Sequence, residues 1–276
     1  MVLRIYIHMQ YILPQTLGSE RLDTVIECLA AMREHSEINL NWSRVENVEP
    51  AGHALISILI DQAIEKKCKL VHSNLDSKLK KNYPLLIQKI KNLALPDPDK
   101  HFYKDKDSFH ICCQGGISLQ YKEILINEYS HRLDDDLLFS IQLVFNELIQ
   151  NAVDHSTSER YYLYFGLLKD EVHFGVLDMG ITLPSKMEQK FNAKNDIDFL
   201  ELSLKEGITT RRLRTGGLGL FHTLEMIKDV GGKFVFISRD GQIRRYFSQR
   251  KINRLELKSR LHGTWVMFTF KIGGMR

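Results

Sequence analysis

The spacing of apolar and polar residues divides the chain into two regions that predict different orders of elements. In the first region, strand-like alternation and helix-like periodicity follow one another. Strand, helix, strand, helix and strand are predicted at residues 3–8, 21–33, 38–42, 51–66 and 69–72. A βαβαβ order of this kind indicates a small α/β domain, a sheet with helices packed on it, which we assign to residues 1–95.

The second region, from about residue 109, predicts helices first and hairpin-linked strands afterwards. Two helix-period stretches precede a β-hairpin, in which Lys169 and Asp170 form the turn between two apolar runs. The predicted elements are helices 118–132 and 134–154, hairpin strands 161–168 and 172–177, helix 218–230, and strands 234–238, 242–247 and 264–272. Helices segregated from an antiparallel sheet predict the α+β class, with an α/β sandwich over residues 109–276.

The segment between these regions is predicted to be a linker. Pro96 and Pro98 lie within it, and the residues that follow carry many charges and few apolar side chains. We therefore predict two domains, residues 1–95 and 109–276, joined by residues 96–108. A chain of 276 residues is long enough for two domains with separate cores.

Composition excludes several functional classes. The formal net charge is only +4, from 38 Lys and Arg against 34 Asp and Glu, so charge gives no reason to expect a nucleic-acid partner. The longest apolar stretch, residues 54–60, is far shorter than the ~20 residues that span a bilayer, so we expect no membrane span and a cytoplasmic protein. The four cysteines lack metal-ligand spacing and are expected to be buried, reduced thiols.

A polar stripe runs along the predicted helix 134–154, which is otherwise apolar around most of its circumference. Glu147, Asn151 and His155 are spaced four residues apart and therefore lie along one narrow face. One interpretation is a solvated stripe on a half-exposed helix. The other is a Mg²⁺ site, in which Asn151 offers its amide oxygen to the ion and Glu147 acts as a general base. The spacing alone does not choose between them.

Asp178 ends a nearly all-apolar predicted strand, and Gly180 follows two residues later. A carboxylate in such a poorly hydrated place is stabilised by accepting a hydrogen bond, for example from the exocyclic amine of a flat ring. Gly180 would let the backbone approach that ring closely. The same short segment, taken alone, also fits an ordinary turn.

A cluster of glycines within residues 215–219 opens directly into the predicted helix 218–230. Backbone N–H groups and the positive end of a helix dipole suit a phosphate chain, and glycines remove the Cβ atoms that would obstruct it. Glycines before a helix also serve simply as a turn. The sequence contains neither a Walker loop nor a G-x-G-x-x-G turn.

In this order, the three motifs resemble the N, G1 and G2 boxes of the GHKL ATPases, which are histidine-kinase-like proteins that share the Bergerat fold. The resemblance covers roughly residues 118–272 and implies ATP and Mg²⁺ as cofactors. It implies that Asn151 is the Mg²⁺ ligand, Glu147 the general base and Asp178 the residue that reads adenine. Nucleotide contacts are also implied for His155, Gly180, Thr182, Thr209, Thr210, Arg211, Gly216, Gly217, Leu218, Gly219, Leu220 and Thr264.

One residue departs from the family pattern. The G1 box usually reads D-x-G-x-G, but Thr182 stands at its second glycine, which affects packing beside adenine and the hinge of the lid. The long polar segment that follows, up to residue 215, resembles the ATP lid of the family, which orders over bound nucleotide. Near its end, Thr209, Thr210 and Arg211 resemble the lid residues that approach the γ-phosphate.

The first region resembles a STAS domain, a partner module of anti-sigma switching systems. The similarity lies in strand 38–42, the turn at residues 45–52 and the apolar helix after it. Where that family carries a phosphorylatable serine, this chain has Pro50 and Ala51, so we expect a docking or scaffold module without self-phosphorylation. An ordinary βα module without this ancestry is the alternative.

These resemblances imply a Mg-ATP-binding regulatory protein of bacterial signalling, similar to anti-sigma-factor serine kinases. Such a protein acts as a protein serine/threonine kinase or an ATPase switch, with a regulatory protein partner and a homodimeric state. A histidine kinase is disfavoured because His131 has no dimerisation hairpin around it, and a gyrase or chaperone type would need a transducer domain after residue 276. The alternative is a non-catalytic, nucleotide-gated protein-interaction module.

Overall fold

The structure is a computed structural model that describes residues 9–91, 102–105, 107–114, 118–156, 160–208 and 219–273. The predicted first strand at residues 3–8 lies outside these ranges. The described elements are, in chain order, β1 (Met9–Ile12), β2 (Thr16–Leu17), α1 (Asp23–Ala31), β3 (Glu37–Asn41), β4 (Asn47–Val48), α2 (Pro50–Glu65), β5 (Lys69–Ser73), α3 (Ser77–Asn82), α4 (Pro84–Lys91), β6 (Phe102–Asp105), β7 (Ser108–Gln114), α5 (Gln120–Tyr129), α6 (Asp135–Ser156), β8 (Arg160–Leu168), β9 (Glu171–Asp178), α7 (Leu183–Met187), α8 (Asp196–Ser203), α9 (Gly219–Asp229), β10 (Lys233–Tyr246) and β11 (Lys251–Lys271).

The N-terminal elements build a three-stranded parallel sheet in the order β1-β3-β5. Parallel neighbours need a crossover connection, which α1 supplies between β1 and β3, and α2 supplies between β3 and β5. α2 begins with Pro50 in its first turn, where the missing N–H has no helical partner to lose, and it is buried along most of its length. The predicted order of helix, strand, helix and strand over residues 21–72 is confirmed as α1, β3, α2 and β5. The sequence prediction did not include β1, the short paired strands β2 and β4, or the helices α3 and α4.

The C-terminal elements build a six-stranded antiparallel sheet, the large sheet, in the order β10-β11-β9-β8-β7-β6. The predicted hairpin is confirmed as β8 and β9, and Lys169 turns the chain between them with a positive φ of 58°. The chain is therefore a mixed α and β protein with separate parallel and antiparallel sheets, which is compatible with the predicted α+β class.

Two strands of the large sheet differ from the sequence prediction. β10 runs through the predicted gap between two strands, with an irregular register around Arg239. β11 begins at Lys251, well before the predicted start at residue 264. Its first half pairs with β10 but not with β9, and most of its residues there are exposed, so the apolar alternation that marks a buried strand is missing.

Part of the predicted linker belongs to the large sheet. Residues 102–105 form the edge strand β6, which pairs with β7 from Ser108 to Ile111. Pairing across a tight turn satisfies the backbone N–H and C=O groups of this segment, and composition does not reveal such a partner. Residues 96–101, which were also predicted to be linker, lie outside the described part of the chain.

The large sheet is covered on both faces, and its strands alternate between two apolar cores. One core joins the sheet to α5, α6, α8 and α9 and contains Phe165, Phe174 and Phe268. The other core joins the sheet to α1 and α2 and contains Tyr162 and Tyr164. Because α1 and α2 also contact the three-stranded sheet β1-β3-β5, they lie between this sheet and the large sheet. In the described part of the chain, these elements follow one another as a layer of helices, the large sheet, α1 and α2, and the three-stranded sheet.

Two further findings bear on the expectations from composition. All four cysteines are buried and free of disulfides, as predicted. Burial raises the pKa of the Cys28 and Cys112 thiols to about 12, so both stay protonated near neutral pH. Among the described residues, no helix is both long and apolar enough to cross a membrane.

Candidate functional site

Asp178 lies at the end of β9, where a buried strand reaches the surface. Its side chain is 5% exposed, and the N–H of Gly180 donates to its Oδ1 atom at 3.0 Å. A hydrogen bond to an aspartate side chain from the N–H two residues further along is an Asx turn, and it fixes the carboxylate beside the reversal of the chain. Asp178 and Gly180, which belong to one sequence motif, therefore form one local unit.

Strand β11 passes directly beside Asp178 at Gly263. A Cβ atom added to Gly263 would lie 2.0 Å from the carbonyl oxygen of Asp178, and Gly263 has a φ of +105°, which other residues rarely adopt. The register of the sheet agrees with this contact, because Trp265 pairs with Leu177. Thr264, the late strand residue of the family resemblance, therefore lies at the tip of β9.

A buried hydroxyl network joins this tip to the start of α7. The Oγ atom of Ser238 donates to the carbonyl of Gly263 at 2.9 Å and accepts the N–H of Leu183 at 2.9 Å. Since the donation uses the only hydroxyl proton of Ser238, Thr264 donates in the 2.9 Å contact between their hydroxyls. Thr182 caps α7 with its side chain, so the residue that stands at the family glycine holds the chain in one conformation.

A cluster of ion pairs fixes α7 and α8 to strand β10. Arg239 donates from Nε to both carboxylate oxygens of Asp196 at 2.8 Å and from Nη2 to Glu188 at 2.5 Å. Burial alone would raise the pKa of Asp196, but hydrogen bonds from Arg239 and from the N–H of Asp240 hold that pKa below its usual value. The segment that resembles a lid thus contains two helices that are anchored to the large sheet.

This anchor has little signal in the local sequence. α7 and α8 are too short for a clear helical period, and Arg239 lies far along the chain from Asp196. One local signal was available, because the side chain of Asn195 caps α8 by accepting the N–H of Asp198. Ser238 carries no local signal, since its role depends on the approach of another strand.

Glu147 and Asn151 lie one turn apart on α6, which packs against β9, α7 and α9. Toward the N-terminus of the helix, the same face carries Phe139, 61% exposed, and Leu143, 49% exposed. Glu147 and Asn151, further along that face, are both partly buried. Asp154, seven residues after Glu147 and on nearly the same face, is exposed again. The partial burial of Glu147 and Asn151 is therefore local, and both interpretations of the stripe stay open.

Several predicted nucleotide contacts lie outside the described part of the chain. α9 begins at Gly219, and Leu220 packs, partly buried, against the core on the α6 side. The side chain of His155 is outside the described set. The remaining phosphate-binding assignments therefore stay predictions, and they concern Thr209, Thr210, Arg211, Gly216, Gly217 and Leu218.

Asn151 and Glu147 are the oxygen donors that the motifs assign to Mg²⁺ chemistry. In the part of the chain that is described, no group of three or more His, Cys, Asp or Glu side chains could hold a metal ion. A single amide oxygen fits Mg²⁺ when phosphate oxygens and water complete the octahedral shell. The donor set thus fits an ion that arrives together with a polyphosphate better than it fits a resident metal.

No protein-family model matches the chain, and a search of curated proteins found no match. A functional assignment therefore rests on the motifs and on the geometry. Four residues for which the resemblance implies nucleotide contacts lie in or beside the turn at the tip of β9, namely Asp178, Gly180, Thr182 and Thr264. Helix α6, which carries Glu147 and Asn151, packs against the same strand.

Proposed function

We propose that the chain binds Mg-ATP between α6 and the tip of β9, and that it acts as a protein serine/threonine kinase or ATPase switch of the GHKL type. The observation that carries the proposal is the buried carboxylate of Asp178, held by the N–H of Gly180 at the end of the strand against which α6 packs. Asp178 on β9 would then recognise the base, and Glu147 and Asn151 on α6 would serve the phosphates.

Asp178 would select the base of the nucleotide. A buried carboxylate is stabilised by hydrogen-bond donors, and the exocyclic amine of adenine is such a donor. Guanine carries a carbonyl oxygen at the corresponding ring position and would place an acceptor against the carboxylate. We therefore expect the chain to bind ATP more tightly than GTP, and we expect Asp178→Asn to reduce that preference.

Glu147 and Asn151 would serve the phosphate end. Asn151 would hold Mg²⁺ through its amide oxygen, and the ion supplies neutralisation of charge on the phosphate oxygens. Glu147, one turn away on the same helix, would accept the proton of an attacking hydroxyl or water. Phosphoryl transfer depends mainly on positioning and charge neutralisation, so two side chains on one packed helix are suited to it.

The output of the switch would be a contact with a regulatory protein partner in the cytoplasm. Our candidate docking module is the N-terminal part, whose sequence pattern is similar to a STAS domain. Because α1 and α2 pack directly on the large sheet, a change at the nucleotide site would reach this module through packed side chains.

A second candidate function is a non-catalytic, nucleotide-gated interaction module. The anchoring of α7 and α8 favours it, because Thr182, Ser238 and Arg239 hold the start of the lid-like segment on the sheet. A segment anchored in this way does not swing at residue 182 to complete a catalytic site. ATP would then bind and alter a protein contact without being turned over.

Mg-ATP binding and turnover by the full chain separate the two functions. Asn151→Ala and Asp178→Asn should each weaken Mg-ATP binding about tenfold or more, since each removes a polar contact worth about 1.4 kcal/mol or more. Glu147→Ala should retain binding and lower turnover by about 10²- to 10⁴-fold. Gln150→Ala, a partly buried neighbour on α6, is the matched control and should change neither quantity.

Labelled ATP identifies the reaction. With γ-labelled ATP, label on a protein partner indicates a kinase, free phosphate indicates an ATPase, and binding without either indicates the interaction module. If the wild type and Asn151→Ala bind Mg-ATP equally, the metal-ligand assignment is wrong. Thermal unfolding of each variant, measured in parallel, distinguishes a lost contact from a misfolded chain.

A further inference from the structure

A cavity lies on the face of the large sheet that α1 and α2 cover. It has a volume of about 360 Å³ and is bounded by the C-terminal ends of α1 and α2 and by strands β8 and β11. Tyr162, a member of the core shared with α1 and α2, lines it, and so do Met179 and Gly180 after β9. A cavity of this size accommodates a small molecule.

The charged residues of this cavity are mainly cations. The ends of α1 and α2 and the strands β8 and β11 each contribute one positive charge, from Arg33, Lys66, Arg160 and Arg260. Glu65 is the acidic residue of the lining, and it pairs with Lys66 at 2.8 Å. Arg33 and Arg260 are exposed, and their side chains make no hydrogen bond or ion pair within the described ranges of the chain.

The pKa of His262 reflects the charges that surround the cavity. Burial lowers the pKa of its imidazole, and the charges of Arg33, Arg260 and Lys66 lower it further, while the charge of Asp240 acts in the opposite direction. Three cations from three different segments therefore lie close enough to act on one side chain. The neutral imidazole that results can donate a hydrogen bond from one ring nitrogen without adding to the positive charge.

Helix ends account for only part of this cluster. A cation near the C-terminus of a helix is stabilised by the helix dipole, which suits Arg33 and Lys66. Arg160 and Arg260 come from strands, so helix dipoles do not account for their positions; the charge of Arg160 acts on Glu65, and that of Arg260 acts on Asp196. Like charges that converge on one cavity repel each other, and an anion between them would remove that repulsion.

We propose that this cavity binds a small phosphate-bearing anion with two or more negative charges. The guanidinium groups of Arg33 and Arg260 match the geometry of phosphate oxygens and can donate two hydrogen bonds each. The charge of such an anion also offsets the excess of cations over Glu65 in the lining. The proposal does not depend on the function proposed above, because the residues that carry it are different ones.

Calorimetric titration of the full chain with inorganic pyrophosphate, in the presence of EDTA, tests the proposal. The double variant Arg33→Gln/Arg260→Gln should bind pyrophosphate about a hundredfold more weakly, since it removes two charge-assisted contacts. Lys78→Gln/Lys258→Gln is the matched control, because it removes the same charge at two exposed positions outside the cavity lining. The control should bind within about twofold of the wild type.

Other outcomes would overturn the proposal. It fails if the wild type shows no pyrophosphate binding, if both double variants lose affinity equally, or if citrate binds and pyrophosphate does not. Mg-ATP binding, measured separately without EDTA, distinguishes the two sites: Arg33→Gln/Arg260→Gln should bind Mg-ATP as the wild type does. Loss of both pyrophosphate and Mg-ATP binding in this double variant would assign the anion to the proposed nucleotide site, which overturns this inference and leaves the proposed function standing. Thermal unfolding checks that every variant is folded.

Discussion

The two faces of the large sheet are covered in chemically different ways. On the face toward α6, aromatic rings fill the core, and Phe174 packs against Phe145 and Phe268 with ring centroids 5.4 and 4.9 Å away. On the face toward α1 and α2, apolar packing is accompanied by hydrogen bonds between side chains from the two halves of the chain. The first face is an aromatic core, and the second, which we call the junction, joins the N-terminal elements, the N-terminal module, to the large sheet.

The hydrogen bonds at this junction are directional. Tyr162 donates to Asp61 at 2.8 Å, and the hydroxyl of Ser57 contacts the Nε2 atom of His110 at 2.7 Å. Lys89 donates to the same hydroxyl at 2.6 Å, and burial lowers the pKa values of Lys89 and His110. Buried polar contacts are costly unless they are matched, so they specify one arrangement of the modules, whereas the aromatic face supplies apolar burial.

Phe174→Ala tests the aromatic face and should have the largest effect on stability. Phe174 is fully buried, and its removal leaves a cavity among aromatic rings, so the free energy of unfolding should fall by about 4 kcal/mol. Urea denaturation measures this change. Phe139→Ala, at an exposed phenylalanine on α6, is the matched control and should change stability by less than about 0.5 kcal/mol. Equal effects would show that the aromatic core has been misidentified.

Gly166→Val tests the junction, where α2 rests on the sheet. A Cβ atom at Gly166 would lie 2.5 Å from Cγ of Pro50 and 2.7 Å from Cβ of Ser108. The larger side chain should cost about 3 kcal/mol and should loosen the N-terminal module first. Urea denaturation gives the cost, and limited proteolysis reports whether residues 9–91 are cleaved first. Leu168→Val, at an exposed position on the same strand, is the control. If Gly166→Val is as stable as the wild type, α2 does not pack this closely on the sheet.

The contrast between the faces was partly visible in the sequence. The run at residues 161–167 is continuously apolar rather than alternating, which indicates a strand buried on both faces. Gly166 within this run indicates a close approach of another segment, which the structure shows to be the side chains of Pro50 and Ser108. The covering elements could not be predicted, because the bond between Tyr162 and Asp61 joins residues 101 positions apart.

The same limit applies to the candidate site. Asp178 and Gly180 are bonded across two residues, so their unit could be predicted from a short motif. The contact of Ser238 with Leu183 spans 55 residues, and the pair of Arg239 and Asp196 spans 43. Such pairs depend on the register of the sheet and carry no local pattern. Sequence motifs therefore predict the ends of elements better than they predict the anchors between them.

His173 allows a smaller and more specific test of the junction, through pH. It alternates with Val172 and Phe174, which face the aromatic core, and so it points toward α1 and α2. Its Nε2 atom lies 3.4 Å from a carboxylate oxygen of Glu171, which would favour a protonated ring. Burial outweighs this contact and, with the charge of Lys233, lowers the pKa of His173 to about 4.

The sign of the pH effect follows from this pKa. In the unfolded chain His173 has its ordinary pKa of about 6.5, so between about pH 6.5 and 4 the unfolded state binds the proton and the folded state does not. Stability should therefore fall as the pH falls, by about 2 kcal/mol between pH 7 and pH 5 from this residue. In His173→Leu, urea denaturation at the two pH values should show a loss smaller by that amount. His131→Leu, at an exposed histidine, should keep the wild-type loss. If His173→Leu loses as much stability between pH 7 and pH 5 as the wild type does, the imidazole is not buried in its neutral form at the junction.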